Sequence, residues 1–416
     1  MNRLWIAVVS LMVAAAAREA ESATPLSALL EEAAQNNPDI LAARRAWQAA
    51  AQVPSQVSTP PDPQVTVQQV SVGSPRPFAG YSNSDFAYLG IGISQDLPFP
   101  GKLKLKGEAA ERDAAIAQNK LESVSRSIFE QIQEAYIQIA YIQQTLDVLK
   151  QDDRFLQQIE SIAEARYRLG QGNQQDVLKA QLERTKLQRE LVHHHQIMDT
   201  QQALLRKLLN RPAGSPDVSA EPLVETPLHV AIEDLLAKVR TDNPDVAGQQ
   251  EVVNRQSLQV EMARKDRYPD FSVQYMWQHT GEQFRDYYMV TFSARIPIYR
   301  RRKLHPEMAQ AVEELDRTKR EYESRVQSTF FEVRNQYIAA QTASEMLKIY
   351  REGLIPQALA TYQSGLAAYQ TGRLDFESLL AEFRDVLHFD EEYWKTLADH
   401  ETALAKIEQM TGVFFH

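Results

Sequence analysis

The chain has 416 residues, of which 44% are hydrophobic and 24% charged, with a formal net charge of −10 and no cysteine. The acidic balance counts against nucleic acid as the main partner. The missing thiols exclude disulfides, cysteine nucleophiles, thiolate metal sites and a lipidated cysteine.

Residues 1–23 read as a signal peptide, with Arg3 as the positive n-region, an apolar core over residues 4–17 and small residues suited to cleavage around 15–23. The mature chain is then expected outside the cytoplasm. The apolar run is shorter than the ~20 residues that span a bilayer, and no later segment is long and apolar enough. Any membrane crossing would have to be made by a β-barrel.

A first repeat is expected over residues 24–210. Two amphipathic helical patterns over 26–51 break at Asn36-Asn37-Pro38-Asp39, where proline suits the first turn of the second helix. Prolines between 59 and 63 then introduce strands at 64–72 and 86–99. In the second of these, Leu89, Ile91 and Ile93 alternate with Gly90, Gly92 and Ser94. Residues 102–169 place Leu121, Val124, Ile128, Ala135, Ile139 and Ile142 at coiled-coil spacing. They predict a helix of about 100 Å, which a turn containing Gly170 and Gly172 reverses into a second helix over 174–209.

A linker over 211–227 leads to a second repeat over 228–416 with the same order. Asn243-Pro244-Asp245 follows Asn37-Pro38-Asp39 at an offset of 206. Strands are expected at 270–278, where Phe271, Val273, Tyr275 and Trp277 alternate with polar residues and Met276, and at 287–298. A long helix over 303–370, bent at Pro356, and a returning helix over 376–410 complete the repeat. Tyr167 and Gly170 recur as Tyr369 and Gly372, 202 positions on. Glycine suits both places because a helix that must reverse commonly ends in a left-handed residue. Two hairpins supply four strands, too few for a barrel wide enough to pass a solute, so closure requires several chains.

Other clusters point to surface roles. His193-His194-His195 with Met198 lies on a helix whose consecutive side chains diverge by about 100°, so a solvated face is expected, with His194 and Met198 the better-placed pair. Arg300-Arg301-Arg302-Lys303 is expected to mark a membrane edge or a solvated helix start. The Phe271, Tyr275 and Trp277 face is expected to meet lipid. With no Gly-rich phosphate loop, nucleophile elbow or metal-ligand spacing, neither an enzyme nor a cofactor is expected.

The duplicated Asn-Pro-Asp helices, the strand pairs, the Pro98-Phe99-Pro100-Gly101-Lys102 exit and the two tip turns, with Asp176-Val177-Leu178, resemble the TolC-like outer-membrane efflux proteins. The resemblance implies a mainly α fold with a membrane β-barrel portion. It implies a homotrimer whose twelve strands form one barrel in outer-membrane lipid, continued by an α-helical periplasmic tunnel. A periplasmic adaptor protein and, through it, an inner-membrane pump would be the partners. Residues 98–108 resemble particularly the members serving heavy-metal resistance-nodulation-division pumps. Tyr167, Gly170, Gly172, Tyr369 and Gly372 would shape the adaptor-docking tip, and Asp176, Arg373, Asp375 and Glu377 are candidate aperture charges. Some relatives carry aspartates at the positions of Ser378 and Ala381, so a gate built on the second turn in that way is not expected. A soluble periplasmic coiled-coil scaffold or adaptor, and an exit duct for drugs or secreted proteins, stay open as alternatives.

Overall fold

The computed structural model describes residues 23–415, and the signal-peptide expectation falls almost wholly outside that range. Helices α1 (Leu26–Asn36), α2 (Pro38–Ala50) and the short α3 (Val53–Ser58) precede strands β1 (Gln64–Val70) and β2 (Tyr88–Leu97). Helices α4 (Lys102–Arg168) and α5 (Gln174–Leu208) follow. The second repeat runs α6 (Ile232–Asp242), α7 (Pro244–Lys265), β3 (Asp270–His279), β4 (Tyr287–Arg295), α8 (His305–Ile349), α9 (Ile355–Gln370) and α10 (Phe376–Thr411). The strand β4 stops at Arg295, where Pro297 soon removes a donor from the ladder.

The chain divides into two compact units, one of residues up to 41, 123–243 and 328 onward, the other of 42–122 and 244–327. In the first unit the two Asn-Pro breaks are buried polar staples. Asn37 Oδ1 accepts from the amides of Asp39 (2.9 Å) and Ile40 (3.1 Å), capping α2, while its Nδ2 donates to the Leu208 carbonyl at 2.8 Å, where α5 ends. Asn243 Nδ2 donates to the Met410 carbonyl at 2.8 Å near the end of α10. Each repeat therefore ties its opening helix break to the last turn of its returning helix.

The segment expected to be a linker is also held within this unit. Gln202 exchanges two bonds with the Val218 backbone, at 2.7 and 2.9 Å. The buried Glu401 carboxylate accepts from Thr226 N at 2.8 Å and Oγ1 at 2.9 Å. His400, fully buried, sets one ring nitrogen 2.9 Å from the Ala340 carbonyl and the other 2.8 Å from that of Thr226.

The long helix of the second repeat is interrupted by π turns. A turn of π-helix over Tyr350–Leu354 precedes Pro356, and another over Arg300–Leu304 begins the element, before Pro306. Proline lacks an N–H and its ring presses on the carbonyl four residues back. A widened turn just upstream shifts the hydrogen-bond ladder by one residue and accommodates both effects.

The second unit holds the sheet, ordered β1-β2-β3-β4 and antiparallel throughout. Register sets Val65, Ile93, Tyr275 and Val290 in one row and Val67, Ile91, Trp277 and Tyr288 in the next. All of these except Trp277 are among the exposed large hydrophobic residues. The alternate rows are Gln64, Ser94, Gln274 and Thr291, then Thr66, Gly92, Met276 and Met289. Side chains alternate across a strand, so one face is hydrocarbon and the other largely polar. Where β2 leaves the sheet, Asp270 accepts from the Phe99 amide at 2.8 Å and pairs with Lys102 at 3.0 Å, and Phe99 stacks on Tyr268 with centroids 4.5 Å apart. No described helix is long and apolar enough to cross a membrane.

Candidate functional site

Both expected turns end their helices in the same Schellman geometry. Gly170 (φ 70°) donates to the Tyr167 carbonyl at 3.0 Å and Gln171 to that of Arg166 at 2.9 Å. Gly372 (φ 76°) donates to the Tyr369 carbonyl at 3.0 Å and Arg373 to that of Ala368 at 2.9 Å. A side chain at either glycine would be strained by the left-handed backbone alone. Gly172 serves closeness instead: a Cβ there would lie 3.2 Å from that of Arg166.

The side chains break the equivalence. Tyr167 is 48% exposed, and Leu169 and Leu178 beside it are exposed too, whereas Tyr369 is 2% exposed and packs with Phe376, Leu379 and Phe383 in the core of the first unit. The Tyr369 ring is thus held inside the unit and is not exposed at the turn. Arg166, whose counterpart in the second repeat is Ala368, reaches across. Its guanidinium lies 4.5 Å from the Tyr369 ring centroid, Nη1 donates to the Tyr369 carbonyl, and Nη2 donates to that of Gln171 at 3.0 Å.

The candidate aperture charges have separate environments. Asp176 is partly buried, and the Tyr369 hydroxyl points to its Oδ2 across a long 3.4 Å. Burial, and then the Asp176 charge, push the Tyr369 phenol up to about 12 against the opposing Arg166 charge. Asp375 caps α10, accepting from Ser378 N at 2.9 Å and Ser378 Oγ at 2.7 Å, and these bonds hold its carboxyl below the usual range. Glu377 pairs with Lys179 at 2.7 Å, and Arg373 is exposed. A second bridge between α5 and α10 joins Glu183 to Arg384 at 2.6 Å. Burial raises the Glu183 carboxyl, but bonds from Arg384 and Lys186 outweigh it and hold the group low.

Sequence reasoning did not single out Arg166, Lys179, Glu183 or Arg384. The available signal for Arg166 was its mismatch with Ala368 inside an otherwise matching repeat. The histidine cluster also differs from the solvated face expected. His194 is buried, edge-on to Tyr141, and burial lowers its imidazole. Among the described residues no group of three or more His, Cys, Asp or Glu side chains could hold a metal ion.

Paired helical hairpins reversing at glycine, with a sheet apolar on one face and polar on the other, are the parts of an outer-membrane efflux channel. The chain belongs to the outer membrane efflux protein family, whose profile matches residues 29–211 and 235–413. The two matched stretches correspond to the two repeats. Solved structures share the fold at low identity. The outer-membrane channel OprN is 17% identical with a TM-score of 0.80, covering 94% of this chain and 90% of that one. The outer membrane protein VceC from Vibrio cholerae is 16% identical with a TM-score of 0.79, covering 94% and 97%. CusC, described in connection with transmembrane channel formation, is 15% identical with a TM-score of 0.78, covering 93% and 91%. No curated protein sequence matches the chain.

Proposed function

We propose that three copies of the chain assemble into a passive exit duct that receives solute from a periplasmic adaptor and an inner-membrane pump. The observation that carries this reading is the sheet. It exposes a continuous apolar face through Val65, Val67, Ile91, Ile93, Tyr275 and Val290, and β1 and β4 are its outer strands. An exposed hydrocarbon face with open edges is unfavourable in water, and lipid on the face with neighbouring chains at the edges satisfies both. Three four-stranded sheets give the twelve strands of one barrel, with the polar face lining the passage.

The tip supports the adaptor contact. Tyr167, Leu169 and Leu178 expose apolar surface around the first turn, and Arg373 adds charge at the second. In this reading Gly170, Gly172 and Gly372 shape the docking end, Tyr369 braces it from inside, and Asp176 and Glu377 stand between neighbouring helices where the aperture narrows. Asp375 acts mainly as a helix cap.

The deciding experiment is purification in detergent followed by mass measurement and planar-bilayer recording. A trimer with steady conductance is the expected result; a monodisperse water-soluble monomer would overturn the proposal. Substrate class is read from a deletion strain challenged with metals, dyes and antibiotics, with metals first because of the resemblance of residues 98–108.

A further inference from the structure

Within the first unit, α4, α5 and α10 enclose a cavity of about 210 Å³ that the duct reading does not use. Apolar side chains form part of its wall, Leu149 and Leu156 from α4, Leu187 from α5, and Phe383 and Leu387 from α10, with Trp394 beside them, and the charged Glu183, Lys186, Arg189, Glu190 and Glu391 also line it. One acid of this lining is deeply buried. Asp152 is 3% exposed, and its Oδ2 is buried with no hydrogen-bond partner. The Tyr362 hydroxyl, from α9, is likewise buried without a partner and close enough to feel the Asp152 charge. A buried carboxylate with an unmet oxygen is costly, and native chains seldom keep one without reason.

The other charged groups at the cavity are ion-paired or exposed. On α5, Glu183 is bonded to Lys186 and Arg384, and Arg189 to Glu190. On α10, Glu391 lines the cavity and is exposed, while Asp390 faces Asp152 with a charge of the same sign. The unmet demand is therefore for a positive donor at Asp152, and the walls demand hydrocarbon behind it. A bare metal ion fits neither, since no set of three ligating side chains exists among the described residues. The volume is several times the ~30 Å³ share of one water. It is below the ~300 Å³ at which drug-sized pockets begin, which limits the occupant to a small molecule.

We propose that this cavity binds a small organic ammonium ion, its charged head donating to the Asp152 carboxylate and its apolar body lying against Leu149, Leu187, Phe383 and Leu387. The ion supplies the cation that the site lacks and brings hydrocarbon for the walls. It is a site in the helical wall, separate from the two tip turns.

The test uses the full chain purified in detergent, titrated calorimetrically with benzylammonium chloride and, separately, with benzyl alcohol, a neutral molecule of similar shape. At pH 8 the amine should bind saturably at one site per chain, at least about tenfold more tightly than the alcohol, a discrimination in keeping with a charge-assisted hydrogen bond. Asp152→Asn should reduce the amine to the affinity of the alcohol. Leu387→Trp, which keeps the acid and fills the cavity, should abolish binding of both. Burial and the Asp390 charge raise the Asp152 carboxyl to about 7, so amine binding should weaken about tenfold from pH 8 to pH 6 as the ionised fraction falls. Equal affinity for amine and alcohol would reduce the site to an apolar hole and overturn the proposal, as would unchanged binding in Asp152→Asn or no saturable binding. If Asp152→Asn does not purify, the amine-to-alcohol ratio and Leu387→Trp decide. None of these measurements requires conductance or a partner, so the outcome is independent of the duct reading.

Discussion

The Arg166 guanidinium sits 4.5 Å from the centre of the Tyr369 ring and donates to the Tyr369 carbonyl, so the first turn grips the second by ring and backbone together. Arg166→Ala removes both contacts and should cost about 1–3 kcal/mol in unfolding free energy, from a charge-assisted bond and a cation–π contact. Arg166→Lys, which lacks the planar fork, should fall between. Denaturant titration of the purified chain checks the order, and a fully stable Arg166→Ala would show that the turns do not depend on this grip.

Tyr369→Phe keeps the buried ring and deletes only the 3.4 Å approach to Asp176. Stability should change by less than about 1 kcal/mol, because so long a bond contributes little. An altered single-channel conductance at unchanged stability would assign the Asp176 contact to the aperture. Asp176→Ala should alter conductance more than Ser378→Ala, since the Ser378 hydroxyl is spent on the Asp375 cap. Equal changes would count against that difference between the turns.

Asn37→Ala and Asn243→Ala should each lower stability by about 2 kcal/mol or more. Asn37 loses a helix cap, and both changes leave a buried carbonyl, of Leu208 or Met410, without its donor. Asn37→Asp restores the cap and not the donor, so thermal unfolding should place it between wild type and Asn37→Ala.

Arginine scanning separates the two faces of the sheet. Val67→Arg and Val290→Arg, on the apolar face, should impair membrane assembly with a penalty of roughly 2–4 kcal/mol near the bilayer midplane. Thr291→Arg, on the polar face, should be tolerated and change conductance. The readout is the amount of assembled protein in outer-membrane fractions, and equal tolerance of all three would rule out lipid on the apolar face.

Asp152 makes stability fall as pH rises. Its carboxyl is raised from 3.8 to about 7 by burial and then by the Asp390 charge. Below the lower value both folded and unfolded chains hold the proton, and the group is neutral to stability. Between the two values the folded chain holds a proton that the unfolded chain has released, so stability is lost at up to about 1.4 kcal/mol per pH unit. Above the upper value the loss is complete. Asp152→Asn should remove this slope, and its advantage over wild type should grow between pH 4 and pH 8 in unfolding experiments. A parallel pH profile in the variant would place the slope elsewhere.

The repeats, the strand pairs and both glycine turns were legible because each has a local cause: a helix stop, a period of two, or a left-handed residue. Inequality between the halves was less so. Tyr167 and Tyr369 occupy matching positions, and only packing against Phe376 and Phe383 decides that one is buried. The inward turn of His194 and the binding of Thr226 by Glu401 depend on neighbours far along the chain. The π turn from Tyr350 ahead of Pro356 was not legible either, because it reflects how one helix absorbs a missing donor.

The open outer strands β1 and β4 have a genetic consequence. If the last backbone bonds of the sheet are made between chains, folding ends as a reaction of higher than first order, and the abundance of the protein becomes one of its folding conditions. A copy damaged along β4 but sound along β1 would still recruit a neighbour and spoil the ring it enters. Such an allele would be dominant, whereas a copy that never folds would simply be lost.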